Sequence, residues 1–229
     1  MVQQLRTDSN LIYPDSDGQP ISNDTQQFRW IVTIKENLEL LYADDPNVFV
    51  AGDLLWYPIE GDNTLSQAPD TLVVFGRPKR DRGSYQQWEE DNIPPQVVFE
   101  ILSPGNRLKE MAKKFQFYER YGVEEYYVYD PSKIDLIGWQ RKDGYLDVIE
   151  TIQNWVSPRL AVRFVLTDEK LEIYRPDNEP FLTYTELGKL REQETQRAVQ
   201  AEAQLAQEKK RADRLAARLK ELGVDPDAV

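Results

Sequence analysis

The stretch that most constrains the fold lies between residues 96 and 129, where two apolar segments flank a helical one. Residues 96–102 and 126–129 are apolar on both sides of a predicted strand. Such strands are typical of the middle of a sheet that is covered on both faces. Between them, residues 106–121 predict a helix with Asn106 as a candidate cap and Gly122 as its stop. Two buried strands joined by a helix indicate an α/β domain.

The segments on either side complete the predicted order of elements. A helix is predicted after Asp24 or Thr25, either of which can cap it, because apolar residues follow at helical spacing as far as Leu41. Runs rich in branched and aromatic residues predict further strands. These runs are residues 48–57, 71–75, 134–140, 145–153, 160–166 and 171–174. The order is typical of a mixed sheet flanked by helices.

Composition divides the chain into three predicted regions. Residues 1–23 are polar, show no periodicity and predict a loose arm. Residues 24–183 contain the predicted sheet and its helices, and 229 residues are enough for one such domain with an appendage. Residues 184–229 predict a helical tail, since they are rich in charge and high in helix propensity.

Apolar residues in the tail recur every seven positions in two columns. The first column is Ala198, Leu205, Ala212 and Leu219, and the second is Ala201, Leu215 and Leu222, interrupted by Glu208. This repeat is typical of a coiled coil, so we expect the tail to pair with another copy of the chain, most simply as a dimer. The alternative is a lone solvated helix, which would gain little from packing.

The chain contains neither cysteine nor histidine. This absence excludes thiolate nucleophiles, disulfides, thiolate or imidazole zinc sites and any catalytic triad that depends on an imidazole. Enzymatic chemistry would therefore fall to Asp, Glu, Lys, Tyr, Ser or Thr. Oxygen ligands favour hard cations such as Mg²⁺ or Mn²⁺.

The net charge of −12 disfavours a nucleic-acid partner, because phosphates attract basic surfaces. Basic residues nevertheless cluster in one loop, which is the predicted DNA-contacting segment. They are Arg77, Lys79, Arg80 and Arg82. The alternative is that they are ordinary solvated charges.

No apolar run of the chain is long enough to cross a bilayer. Residues 1–10 are polar and predict no signal peptide, so we expect a soluble, cytoplasmic protein.

Three carboxylates interrupt or border the predicted strands, namely Asp53, Asp70 and Glu100. A carboxylate in a buried strand is costly unless it is paired or bound to metal. The following helix offers Lys113 and Lys114, and Lys114 shares a helical face with Tyr118. Taken singly, the carboxylates are as well explained by ion pairs and turns. Together they indicate metal-dependent hydrolysis of a phosphodiester.

Three strings carry a resemblance to a known family: APDTLVVF, PPQVVFEILSPGNR and KFQFYERYGVEEYYVYDP. In order and spacing they resemble the motifs of the Uma-type endonucleases, a restriction-endonuclease-like family of the PD-(D/E)XK nuclease superfamily, over about residues 24–175. The resemblance implies an endonuclease that cleaves DNA with Mg²⁺ or Mn²⁺. It also implies that Asp70 and Glu100 bind the metal, with Asp53 as a further ligand or hydrogen-bonding group.

The chain departs from the superfamily pattern at one position. The usual lysine lies two residues beyond the glutamate, where this sequence has Leu102. The resemblance implies that Lys114 replaces it, with Lys113 as the competitor and Tyr118 as an accessory residue. Glu36 or Glu39 of the first helix can also join such a site. The alternative function is an inactive restriction-endonuclease-like module that assembles through its coiled coil, which the acidic surface favours.

Overall fold

The computed structural model of the chain describes residues 11–18 and 20–222. It contains two compact units, which divide between Phe181 and Leu182. The first unit contains the sheet and two helices, and the second contains one long helix. No helix in the described ranges is long and apolar enough to cross a membrane.

The first helix, α1 (Thr25–Leu41), begins after Asp24, one of the two caps that the sequence predicted. Asp24 accepts hydrogen bonds from the backbone N–H groups of Gln26 and Gln27, each at 2.8 Å. These bonds satisfy N–H groups that have no partner within the helix. Its buried apolar residues, among them Ile34 and Leu38, pack in the core cluster beside the sheet.

A six-stranded mixed sheet forms the centre of the first unit, in the order β1-β3-β5-β6-β7-β8. Its strands are β1 (Val48–Ala51), β3 (Thr71–Phe75), β5 (Val97–Ile101), β6 (Glu125–Asp130), β7 (Asp135–Lys142) and β8 (Tyr145–Val148). Within this six-stranded sheet, only β5 and β6 pair in parallel, and α2 (Leu108–Arg120) connects them. The predicted strand–helix–strand stretch is therefore the parallel centre of the sheet. A parallel pair needs such a crossover, because no tight turn can join its strands.

Two small two-stranded sheets complete the unit. β2 (Trp56–Tyr57) pairs in parallel with β4 (Tyr85–Gln86), and β9 (Arg163–Leu166) pairs with β10 (Leu171–Tyr174) as a hairpin. The run 48–57, with its strand character throughout, is thus divided between two sheets. The chain bends at Gly52 and Asp53, where Asp53 has a φ of +49° that no continuing strand adopts.

The start of α2 also differs from the prediction. Asn106 does not cap the helix, because its side chain closes the preceding turn by accepting the Ser103 N–H at 2.6 Å. The helix therefore begins two residues later, at Leu108. Asn favours turns and helix caps by the same kind of bond, so the sequence alone does not separate the two roles.

Alternating residues of the central strands feed two separate cores. Val97, Phe99 and Ile101 of β5 contribute to the core that contains α1. Val98 contributes to the opposite core, together with Tyr118 of α2. Since successive side chains of a strand point to opposite faces, Glu100 projects to the same face as Val98, beside α2.

Residues 11–18 form no helix or strand, but they contact the domain. The ring of Tyr13 packs against Tyr57 and Trp88, with centroids 5.2 and 4.8 Å away. The Tyr57 hydroxyl donates to the Pro14 carbonyl at 2.8 Å. Residues 11–18 of the predicted arm 1–23 thus have partners in the domain, and residues 1–10 and 19 lie outside the described ranges. A single anchoring ring in a polar segment has no periodicity that a sequence could reveal.

The second unit contains α3 (Tyr184–Glu221), a helix of 38 residues. The Thr183 hydroxyl caps it by accepting the Glu186 N–H, and the Glu186 carboxylate accepts the Thr183 N–H at 2.8 Å. No residue of α3 is buried. Its apolar seam is open to solvent, with Leu205 and Leu222 each 69% exposed.

Candidate metal and active site

The strand register places the three predicted carboxylates in one row across the sheet. β3 and β5 pair with Thr71 opposite Phe99, and one further step brings Asp70 opposite Glu100. On the other side, the Asp53 N–H donates to the Pro69 carbonyl at 3.0 Å, at the end of the β1–β3 pairing. Directly opposed residues have Cβ atoms about 4.5–5.5 Å apart and share one face of the sheet. Asp70 and Glu100 are therefore neighbours.

Glu100 is 3% exposed and receives a donor on each oxygen. Lys114 Nζ donates to Oε2 at 2.7 Å, and the Tyr118 hydroxyl donates to Oε1 at 2.5 Å. The four-residue spacing of Lys114 and Tyr118 brings both onto the same carboxylate. Lys113 lies on the exposed side of α2.

Asp70 is buried beside Glu100 with less compensation. Its Oδ2 accepts the Ile101 N–H at 2.6 Å. Burial, followed by the negative charge of Glu100, raises the pKa of Asp70 to about 8, although Lys114 and the Ile101 N–H act in the opposite direction. The two carboxylates share a single ammonium group, so Asp70 mostly holds a proton near neutral pH in the metal-free protein.

Asp53 borders this pair at the bend after β1. Burial raises its pKa, followed by the charge of Asp17, a residue of the N-terminal segment. Gly52 permits the bend to approach the next strand, because a Cβ there would lie 3.3 Å from the Asp70 carbonyl oxygen. The segment that contains Asp17 has no hydrophobic periodicity, so the sequence did not predict that Asp17 lies close to Asp53. In the part of the chain that the structure describes, no three carboxylates are close enough to form a metal site by themselves.

The donor set at Asp70 and Glu100 fits a hard divalent cation. Both side chains offer carboxylate oxygens, which Mg²⁺ and Mn²⁺ prefer. Burial lowers the pKa of Lys114, but the charges of Glu100 and Asp70 outweigh that effect and leave the pKa raised. Lys114 thus remains an ammonium, and one ammonium cannot neutralise both carboxylates. A bound divalent cation would take the place of the Asp70 proton and allow both carboxylates to be ionised.

Glu36 and Glu39, the two predicted accessory glutamates, belong to α1. Both form ion pairs with Lys35, at 3.0 and 2.5 Å. Among the described residues, no hydrogen bond or ion pair links either of them to Asp70 or Glu100. Their predicted accessory role therefore gains no support from a contact.

The predicted DNA-contacting loop has a largely internal role. Arg77, Arg80 and Arg82 converge on Glu90, which is 2% exposed, at distances of 2.8, 2.6 and 2.7 Å. Burial would raise the pKa of Glu90, but the hydrogen bonds from these arginines lower it to about 2. Nothing in the acidic run of residues 89–91 indicates which member is buried, so the sequence did not reveal this cluster.

Two further contacts explain the rest of the loop. Lys79 donates to the carbonyls of Tyr42 and Ala43, just beyond the C-terminal end of α1, where a positive charge is favourable. The guanidinium of Arg82 lies 4.0 Å from the centre of the Phe49 ring. Arg80 differs from its neighbours, because its side chain is 55% exposed.

An open cleft of about 540 Å³ runs along the edge strand β1. It extends from the loop at Arg80 to Gly52 and Leu54, which flank Asp53. Four cations and two acids contribute to its walls. They are Lys35, Lys79, Arg80 and Arg82, with Glu39 and Asp81. The cleft thus has more basic than acidic side chains in its walls, and the chain neighbours of Asp53 line one end of it.

Comparison with protein families gives a match over most of the chain. A family model described as "Uma2: Putative restriction endonuclease" matches residues 7–207. This match confirms the resemblance of the motifs and extends it beyond residues 24–175. A search of curated proteins found no match. A crystal structure described as "a putative nuclease belonging to DUF820", from Anabaena variabilis, is 14% identical, with a TM-score of 0.44 over 59% of this chain and 72% of that one.

Proposed function

Since the chain belongs to the family described as "Uma2: Putative restriction endonuclease", we propose that it is a metal-dependent endonuclease that hydrolyses phosphodiester bonds of DNA. The observation that carries the proposal is the juxtaposition of Asp70 and Glu100 with Lys114. Two buried carboxylates opposite each other, compensated by one ammonium, form an arrangement that a divalent cation would complete.

Each residue of the site has a distinct proposed role. Asp70 and Glu100 would hold Mg²⁺ or Mn²⁺, and Asp53 at the rim would serve as a further ligand or as a hydrogen-bonding group. The cation, when bound, supplies Lewis-acid polarisation of the phosphate. Tyr118 holds Oε1 of Glu100 in place.

Lys114 is the proposed stabiliser of charge that develops on the phosphate. Its ammonium has three N–H donors, and Glu100 accepts from one of them. The side chain is 23% exposed, so a remaining donor is open to a phosphate oxygen or to a water. A preorganised cation in a site that is mostly closed to water stabilises such charge far better than one in solvent.

The first test is cleavage of supercoiled and linear DNA in the presence of Mn²⁺ or Mg²⁺. We expect cleavage by the wild-type protein and its loss in Glu100→Gln. The adjacent lysines provide a matched pair, because Lys114→Met removes the buried ammonium and Lys113→Met removes an exposed one. Cleavage that is lost only in Lys114→Met supports the assigned role. No cleavage by the wild type, or full activity of Glu100→Gln, contradicts the proposal.

The competing function is the inactive interaction module. The observation in its favour is that Lys114 and Tyr118 already occupy both oxygens of Glu100, which is also how a structural ion pair would be built. Calorimetric titration with Mn²⁺ separates the two functions. The nuclease requires binding that Asp70→Asn abolishes, whereas the module predicts no binding in either protein.

We further propose that DNA approaches along the cleft beside β1, with Arg80 as a phosphate contact. Of the predicted basic loop, the proposal retains Arg80 alone. All three arginines bond to Glu90, but only the side chain of Arg80 is mostly exposed, and Lys79 donates to carbonyls.

A cytoplasmic location also stays a prediction, and fractionation of cells that express the chain would test it.

The last proposal concerns the partner of α3, which we assign to a second copy of the chain. Its seam exposes Leu205 and Leu215, and pairing would cover these side chains. The double variant Leu205→Asp/Leu215→Asp should reduce the particle mass in light scattering by half. Val199→Asp is the matched control, since Val199 is an exposed apolar residue outside the seam. An unchanged mass of the double variant, or a monomeric wild type, contradicts pairing.

A further inference from the structure

Tyr126 of β6 carries a buried hydroxyl that the proposed chemistry does not use. The residue is 1% exposed, and its hydroxyl has no hydrogen-bond partner among the described residues. A buried polar group without a partner destabilises a fold, because it loses its bonds to water and gains nothing in return. Such a group on the wall of a site indicates a partner that joins it in another state.

The strand register places Tyr126 on the same face of the sheet as Glu100. β5 and β6 pair with Val98 opposite Tyr126 and Glu100 opposite Val128, so Tyr126 is the diagonal neighbour of Glu100 on the same face. Diagonal residues on adjacent strands are about 7–8 Å apart, which an aromatic side chain can span. After burial itself, the charges of Glu100 and Asp70 are the causes that raise the pKa of Tyr126.

The Tyr126 ring is fixed by its neighbours. It packs edge-on against Tyr118 at 5.1 Å and stacks on Trp139 at 5.1 Å. Tyr118 is the residue that donates to Oε1 of Glu100. The two tyrosines therefore form one wall around the same carboxylate, and only one of them bonds to it.

The other buried tyrosines of the described chain all have a partner for the hydroxyl. Those partners are Pro14 for Tyr57, Ile93 for Tyr85, Glu100 for Tyr118, Glu125 for Tyr127 and Leu171 for Tyr129. Tyr126 is the exception, and it lies beside Glu100 and Asp70. Chance unpairing would not favour that position over the others.

We propose that Tyr126 is a positioning residue for Glu100: its hydroxyl would donate to Oε1 in the state in which Glu100 holds a divalent cation. The inference rests on the proposed function and adds a residue to its site. A carboxylate oxygen accepts two hydrogen bonds, so Oε1 can hold Tyr118 and Tyr126 together. Residues that orient a metal ligand in this way are as much a part of a site as the ligand.

The test compares Tyr126→Phe with the wild type by calorimetric titration with Mn²⁺ and by thermal unfolding without metal. We expect Mn²⁺ to bind about 10-fold to 100-fold more weakly, the usual effect of removing a partner of a metal ligand. Without metal, we expect Tm to stay the same or rise, because the variant lacks the unpaired hydroxyl. A purely structural tyrosine would not combine these two results.

Tyr127→Phe is the matched control, since it removes the neighbouring hydroxyl, which bonds to Glu125. We expect a lower Tm and unchanged Mn²⁺ affinity. Equal Mn²⁺ affinity of Tyr126→Phe and the wild type overturns the inference and leaves the proposed nuclease intact. A wild-type protein that binds no Mn²⁺ overturns both.

Discussion

Glu90 and Glu100 are ten positions apart in the sequence and almost equally buried, yet they have opposite surroundings. Glu90 is a single carboxylate among three arginines, and its pKa is lowered to about 2. Glu100 shares one lysine with Asp70, whose pKa is raised to about 8. The first cluster has more cations than its carboxylate needs, and the second has too few for both of its carboxylates to be ionised.

The difference teaches how to separate a structural ion cluster from a candidate site. The arginines around Glu90 complete their bonds within the fold, so the cluster needs nothing further and fixes the loop after β3. The pair of Asp70 and Glu100 is incomplete, because the chain supplies too few cations for it. Buried charge of this kind persists in proteins mainly where it serves a site.

The largest effect is expected from the structural cluster. Glu90→Gln leaves Arg82, whose side chain is 4% exposed, without a counter-charge. Removing one partner of a buried ion pair destabilises a protein by about 3–5 kcal/mol. Urea unfolding checks this value, and Asp91→Asn is the control, since Asp91 pairs with Arg77 from the surface. A loss below that of the control would show that Glu90 is not structural.

The same carboxylate gives a pH prediction with a definite sign. The pKa of Glu90 falls from 4.5 to about 2 on folding, so its contribution to stability is complete above pH 4.5 and is lost as the pH drops toward 2. The free energy of unfolding should therefore decline over this range in the wild type and less steeply in Glu90→Gln. Equal slopes in urea titrations at several pH values would refute the assignment.

At the site, removal of a carboxylate should have the opposite effect on stability. Because the pKa of Asp70 is raised to about 8, this carboxyl has to take up a proton on folding near neutral pH, and that costs stability. Asp70→Asn removes the cost and leaves the Lys114–Glu100 pair in place. For the metal-free protein near neutral pH, we expect Tm to rise by about 2–4 °C, which corresponds to about 1 kcal/mol for a domain of this size. Added Mn²⁺ should raise the Tm of the wild type only. A lower Tm of the metal-free variant would place Asp70 with the structural carboxylates.

The smallest expected effect tests whether the arginine cluster also contacts DNA. Arg80→Ala should change the free energy of unfolding by less than about 1 kcal/mol, because the side chain is more than half exposed. The slope of log affinity for DNA against log salt should decrease by about 1, the effect of losing one phosphate contact. An unchanged slope would confine the cluster to its structural role.

The sequence determined the elements and the local neighbours within them. Alternation and apolar runs predicted the central strands and α2, since these patterns report which side of an element is buried. The spacing of Lys114 and Tyr118 predicted that they share a helical face, and Glu100 was recognisable as an acid in an apolar strand. The family resemblance added the order of the motifs.

Only the tertiary structure decided which charges meet. The alignment of Asp70 with Glu100 depends on the register of two strands, and the three arginines meet Glu90 because a loop folds back on itself. Lys79 and the N-terminal segment likewise owe their roles to partners far along the chain. Periodicity records the geometry of a single element, whereas ion pairing depends on distances between elements, which no local pattern contains.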